Sequence, residues 1–262
     1  MNSLARLLVA ACILTTLTAC RGGSPIPHPR KIVDLSPVIT PDLNVRRLGI
    51  RALEFLGTDG RTRTVPIPPS QPGISYGLEE LQIMTHTGAH LDAPSRLLRG
   101  GAPPSRIGLD KVYGKAHVID LRWHNRHSPI QITDLELKPP QAGDIAILLI
   151  GYEPPAPDDW PQFAPLSEEA ALWLVARGIK ALATDMPALT RFDDIEERMK
   201  KGQPPEIVWA EHLPFFQSQI PVIAGLTHLE AIAKEPNIVF IGFPLALAMA
   251  HGAPMRAAAL VY

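Results

Sequence analysis

Hydrophobic residues along this chain come in short runs set between proline- and glycine-rich polar stretches, a rhythm that predicts strands more than long helices. The runs at 31–36 (KIVDLS), 116–121 (AHVIDL), 144–151 (DIAILLIG), 180–184 (KALAT), 219–226 (QIPVIAGL), 237–244 (NIVFIGFP) and 257–261 (AAALV) all have the length of a buried strand. Residues 47–56 mix apolar and basic side chains in a way strands tolerate, and 75–84 (SYGLEELQIM) reads as a strand or hairpin arm. Residues 64–72 carry too many prolines for regular structure. Helical signals are fewer. Ser167 is placed to cap a helix over 168–177, with apolar Ala171, Leu172, Trp173 and Val175 and a stop at Gly178. Thr133–Glu136 has capping-box spacing before Pro139, 227–230 predicts the start of another capped helix, and 191–201 predicts a short solvated one. The turn-rich loop 98–104 and the proline-rich loop 152–165 complete the pattern; the second carries Trp160 and is placed to overhang a pocket. Strands outnumber helices, and the strongest helix lies between two apolar strands. The chain therefore reads as one α/β or α+β domain with a mixed sheet, without repeats or an interdomain linker.

The first residues follow a different logic. Residues 1–19 hold one basic group (Arg6), an apolar run over 7–17 and no acidic group, and they end in Leu17-Thr18-Ala19-Cys20. A run this short beside small residues predicts a signal peptide rather than a membrane span. Its end resembles the lipobox of bacterial lipoproteins, which implies cleavage before Cys20, lipidation of Cys20, and a chain tethered to a membrane in the bacterial periplasm. A plain secretory signal and a buried N-terminal helix are the alternatives. Residues 20–30 (CRGGSPIPHPR) predict a tether, with His28 solvated, and 31–262 the folded domain.

Composition narrows the chemistry. The chain has 262 residues, 46% of them hydrophobic, enough to bury a core, and its 28 prolines predict stiffened loops. Its two cysteines are Cys12 and Cys20, so a domain beginning at 31 has no thiol for a disulfide, a nucleophile or a thiolate metal site. Loss of Arg6 with the leader leaves 24 basic groups of the original 25 against 26 acidic ones, a net charge of −2. That balance, with no basic run and 6% aromatics, argues against nucleic-acid binding. A phosphate loop, a dinucleotide fingerprint and a Gly-x-Ser-x-Gly elbow are all missing from the sequence.

The richest stretch is 85–96, THTGAHLDAPSR. His86, His90 and Asp92 are all good ligands for a divalent transition metal. His86 and His90 would share a face of a helical turn, but His86, Gly88, His90, Asp92, Pro94 and Arg96 would also share one side of an extended chain. Gly88 and the pre-proline Ala93 disfavour the helix, so an extended or looped segment with converging ligands is the preferred reading. The bland alternative is a set of ordinary surface histidines. His117, His124 and His127 lack a carboxylate at ligand spacing and read as surface or core residues, and His228 reads as the first turn of a helix.

THTGAHLDAP resembles the His-x-Gly-Thr-His-x-Asp-x-Pro-x-His signature of the metal-dependent cyclase family, which includes bacterial kynurenine formamidases and isatin hydrolases. IVDLSP, GIKALATDMPAL, NIVFIGFPLAL and GAPMRAAAL resemble further segments of that family. The resemblance implies a swivelling β/β/α single domain and hydrolysis of a small amide by one or two divalent ions, zinc or manganese. His86, His90 and Asp92 match its metal ligands, and His212 in AEHLPFF matches a histidine that binds the second ion in two-metal members. The sequence departs from the pattern at three places. Arg96 stands where the signature has its last histidine; arginine stays protonated, so it can hold a substrate carboxylate or an oxyanion but cannot act as a base. Ala224 stands where two-metal members carry a glutamate, which favours one metal, with Gln217 or Gln219 as further ligands. Ala89 replaces a threonine. Metal-bound hydroxide or Asp185 would then serve as base. The departures leave open a second function, a periplasmic ligand- or partner-binding lipoprotein without catalysis. The family also implies a homodimer or larger assembly.

Overall fold

The computed structural model describes residues 27–39, 53–55, 81–154 and 162–262. The expected leader, Cys20, most of the tether, residues 64–72 and Trp160 lie outside the described residues. Among the described residues the strands are β1 (Lys31–Asp34), β2 (Leu53–Phe55), β3 (Leu81–Ile83), β4 (His90–Asp92), β5 (Tyr113–Asp120), β6 (Ile145–Leu149), β7 (Ala181–Thr184), β8 (Val222–Ala224), β9 (Ile238–Pro244) and β10 (Gly252–Val261). The α-helices are α1 (Ile132–Leu135), α2 (Glu168–Ala176), α3 (Phe192–Lys200), α4 (Pro205–Val208) and α5 (Leu213–Gln217).

The main sheet runs β1-β10-β4-β8-β7-β6-β5-β9, and β9 also pairs with β10, so the sheet closes into a barrel. β5 to β8 run parallel in succession, while β4 is antiparallel to both β8 and β10. The sheet is mixed, as expected. β2 and β3 form a separate antiparallel ribbon.

β6 shows why the central runs are apolar at every position. Ile145, Ile147 and Leu149 face the barrel interior with Val118, Ala183, Ile223 and Phe240. Ala146 and Leu148 face outward and pack with Leu182, Val222, Leu174 of α2, and Phe215 and Phe216 of α5. A strand covered on both faces keeps no polar side. Burying side chains the size of Phe215 and Phe216 contributes about 2–3 kcal/mol each.

The helix capped by Ser167 forms as expected: its Oγ accepts a hydrogen bond from the Ala170 amide (3.1 Å), and Gly178 follows at φ +74°. Its buried positions are Ala170, Ala171 and Leu174, whereas Leu172 is exposed. α1 starts earlier than the sequence suggested. The Gln131 amide donates to Asp134 (2.8 Å), so the reciprocal cap begins two residues before Thr133. The helix expected from 227 is only a 3-10 turn (Leu229–Ala231), entered by His228 in the left-handed conformation. The Thr227 amide bonds Leu35 and Pro236 lies just beyond, which leaves no room for more turns. The strand expected over 219–226 shrinks to β8, because Pro221 lacks an N–H while Gln219 and Gly225 have positive φ. β10 is longer than expected at its start and carries Pro254 within the sheet.

Candidate metal centre

β4 is three residues long and hydrogen-bonded on both edges. Asp92 stands opposite Gly252 of β10 and Val222 of β8, and His90 opposite Pro254 and Ala224. Strand alternation then separates core from chemistry: Leu91 enters the barrel, and His90 and Asp92 leave by the other face, toward α5. His86 arrives from the preceding turn, made possible by Gly88 at φ +62°. The segment is thus not extended throughout, since only 90–92 is strand and Pro94 starts a 3-10 turn (Pro94–Arg96). The turn brings Arg96 back onto Asp92, where its Nη1 donates to Oδ1 at 2.5 Å.

The ligand-type atoms of His86, His90 and Asp92 lie within 4.8 Å of one another. His86 Nδ1 is 2.6 Å and His90 Nε2 3.7 Å from Asp92 Oδ1. The carbonyl of Gly88 lies 2.8 Å from His90 Nδ1; a carbonyl only accepts, so Nδ1 carries the proton and Nε2 presents its lone pair to the centre. Small residues clear the space. A Cβ on Gly252 would fall 2.4 Å from Cε1 of His86, and one on Gly225 would fall 2.4 Å from the same Gly88 carbonyl.

His212, fully buried at the start of α5, brings Nε2 to 3.9 Å from Asp92 Oδ2. Its Nδ1 is buried and has no hydrogen-bond partner among the described residues. Burial pushes His90 down to about 4 and His212 down to about 3, against the opposing pull of Asp92, so both are neutral near pH 7. Burial pushes the Asp92 carboxyl up, but the Arg96 charge and the hydrogen bond from His86 override it and hold Asp92 well below the usual carboxylate range. The imidazoles of His86 and His90, the buried Asp92 carboxylate and a third histidine at the edge form a donor set that fits a divalent transition metal.

The remaining predicted residues divide clearly. Ala224 faces His90 across the β4–β8 pair and offers no ligand atom. Ala89 is buried in the barrel core. Gln217 and Gln219 lie at the exposed end of α5 opposite His212, with the Gln219 amide donating to the Phe216 carbonyl (3.3 Å); they are not brought to the centre. Asp185 accepts hydrogen bonds from the amides of Ile150, Gly151 and Tyr152 (3.0, 2.7 and 3.0 Å), so it clamps a loop rather than standing free as a base. His117 lies against the Lys138 carbonyl (3.0 Å), His124 pairs with Asp134 (3.2 Å), and His228 reaches the Asp34 carbonyl (3.0 Å); all three have structural partners. Trp160, on the loop expected to overhang a pocket, lies outside the described residues.

Sequence reasoning missed two supports. Trp209 places its ring 4.7 Å from the Arg96 guanidinium and edge-on to His212 at 5.4 Å. Helix α3, expected to be merely solvated, buries Ile195 and sends Arg198 to Glu211 (Nη2 to Oε1, 2.8 Å), while Thr190 donates to the same carboxylate at 2.6 Å. Glu211 precedes His212, so this network anchors the strand-distant side of the centre. The signal was the cluster WAEH itself, an aromatic, a carboxylate and a histidine within four residues.

A closed mixed barrel carrying a buried His-His-Asp donor set on its outer face defines a metal-binding α/β protein. The family model described as "Putative cyclase" matches residues 33–191, and the chain belongs to that Cyclase family. The kynurenine formamidase of Bacillus cereus is 25% identical over 184 residues, covering 70% of this chain and 79% of that protein. The kynurenine formamidase of Salinibacter ruber is 28% identical over 130 residues, covering 47% and 57%. Among solved structures, an isatin hydrolase bound to the product analogue thioisatinate superposes with a TM-score of 0.68 at 16% identity, covering 100% of this chain and 99% of that one. Isatin hydrolase A from Labrenzia aggregata gives 0.63 at 20% identity, covering 88% and 93%. At those identities the solved structures establish the shared fold.

Proposed function

We propose that this protein is a metal-dependent hydrolase of a small amide, cleaving a C–N bond of the N-formylkynurenine or isatin type. The observation that carries the reading is the convergence of His86, His90 and Asp92 within 4.8 Å. Family membership and the kynurenine formamidases among the relatives support it, and favour hydrolysis over a role in binding alone. His86, His90 and Asp92, with His212 behind them, would hold one divalent ion, zinc or manganese; Ala224 leaves no carboxylate for a second. Such an ion supplies a Lewis acid that polarises an amide carbonyl and acidifies water.

The chain's own residues prepare the rest. The Gly88 carbonyl fixes the His90 tautomer. Burial keeps His90 and His212 uncharged near neutral pH; His90 Nε2 is then available as a ligand, whereas His212 Nε2 accepts a hydrogen bond from the Leu189 amide at 3.5 Å. Arg96, always protonated, holds an anionic group of the substrate or the developing oxyanion and takes no proton itself.

The test uses the full chain, stripped with chelator and reloaded with zinc or manganese, with His86→Ala and Asp92→Ala beside it. The expected result is metal-dependent turnover of N-formylkynurenine or isatin, lost together with metal content in both variants. Full metal content in both variants, or a metal-loaded protein inert toward both amides, would sink the reading.

We also propose that the chain is exported to the bacterial periplasm, lipidated at Cys20, and active as a homodimer. The lipobox-like end of residues 1–19 supports export and lipidation. Palmitate labelling that survives Cys20→Ala overturns the anchor, and a monomer by sedimentation overturns the dimer.

A further inference from the structure

Asp92 Oδ1 is claimed from two sides at once. Arg96 Nη1 lies 2.5 Å from it, His86 Nδ1 lies 2.6 Å from it, and those two nitrogens are 3.1 Å apart. No arrangement of protons satisfies all three contacts. With a proton on Nδ1, His86 donates to Asp92 but opposes an arginine N–H. Without it, Nδ1 accepts from Arg96 but sets its lone pair against the carboxylate. The guanidinium has a second seat, the face of Trp209 at 4.7 Å, and its side chain keeps 20% exposure, so it can turn toward solvent without leaving that ring.

The charges point the same way. Among the described residues Asp92 is the one carboxylate within ion-pair distance of Arg96, so one negative charge faces one guanidinium. The neighbouring Arg198 is already matched by Glu211. A divalent ion on Asp92 would leave the buried cluster with an excess of positive charge and Arg96 without its counterion. Buried unpaired charge is costly, so an anion would be drawn in.

We propose that Arg96 is a resident cation of the centre that competes with the metal for Asp92, and that metal binding frees it, still stacked on Trp209, to receive a carboxylate of the ligand. This rests on the metal-centre reading above. Metal and carboxylate therefore bind with positive, reciprocal coupling, and Arg96 is the residue through which the coupling passes. Of the amides proposed above, the coupling favours those that carry a carboxylate, as N-formylkynurenine does, over uncharged ones such as isatin.

Zinc and manganese affinities of the chelator-stripped full chain are measured by competition with a chromophoric chelator, and benzoate binding is measured calorimetrically with and without metal. Arg96→Gln is expected to tighten metal binding by about tenfold or more, with Arg96→Lys between it and the parent. In the parent, metal is expected to strengthen benzoate binding by a similar factor, and Arg96→Gln to abolish that gain. The parent measurement needs no variant, so a poorly folding substitution leaves the coupling testable. Unchanged or weaker metal binding in a folded Arg96→Gln, no coupling in the parent, or full coupling in Arg96→Gln overturns the proposal while leaving the metal centre standing. A parent chain that binds neither ion overturns both.

Discussion

Gly252 stands opposite Asp92 in the β4–β10 pair, and a Cβ at position 252 would lie 2.4 Å from Cε1 of His86. The missing side chain is what lets the His86 ring lie against the strand and aim at the carboxylate. Gly252→Ala forces His86 outward and also presses on the Leu91 carbonyl of β4, 2.8 Å from the same Cβ. The expected outcome is a loss of at least tenfold in metal affinity, about 1.4 kcal/mol, together with a lower denaturant midpoint. Equal affinity in the two proteins would show that His86 is not held by this contact.

Acid should destabilise the metal-free chain early. His90 at about 4 and His212 at about 3 sit below the ordinary histidine value of 6.5 in the folded state, so the unfolded chain takes up protons first. Their stabilising contribution is complete above pH 6.5 and is lost as pH falls toward 4, at up to about 1.4 kcal/mol per pH unit for each histidine. Asp185, raised by burial against its three amide partners, has the opposite sign and acts only near the carboxylate range. Urea titrations from pH 7.5 to 5 on chelated protein measure the slope; a flat profile contradicts buried neutral histidines.

Asp185→Ala orphans the amides of Ile150, Gly151 and Tyr152 at the end of β6. A cost of about 3 kcal/mol is expected in denaturant unfolding. Asp185→Asn should recover part of it, because the amide oxygen still accepts. If Asp185 instead served as a base, activity would fall far more than stability in Asp185→Asn.

Glu211→Met leaves Arg198 and Thr190 without their carboxylate and should cost about 3 kcal/mol. The double variant Arg198→Met/Glu211→Met removes both charges and is expected to regain part of that stability. A double variant no more stable than the single one would assign Glu211 a role beyond its partner.

Much of this molecule was visible in its sequence wherever a local rule and the tertiary context agree. The apolar runs became strands because both faces of β5 to β8 are covered, and Ser167 caps α2 because its neighbours at 168 and 169 are acidic helix formers. His86, His90 and Asp92 were legible from spacing, although the chain achieves their convergence by turn, strand and turn instead of one extended run. What was hidden depends on partners distant in sequence. Nothing local in 191–201 says that Arg198 meets Glu211, and nothing near Gly252 says that a histidine ring rests on it. The short capped helix expected at 227 failed for the same reason, since its start is tied to Leu35 across the sheet.

β4 places two kinds of side chain on consecutive residues: Leu91 in the barrel interior, His90 and Asp92 on the opposite face, with both strand edges bonded. The ligand-bearing strand therefore has no way to fray by itself. An ion held here can escape only by side-chain rotation, and the Leu91 amide should exchange its hydrogen with solvent no faster than the barrel as a whole opens. Metal loss and backbone opening would then be separable clocks, one set by Arg96 and His86, the other by the whole sheet.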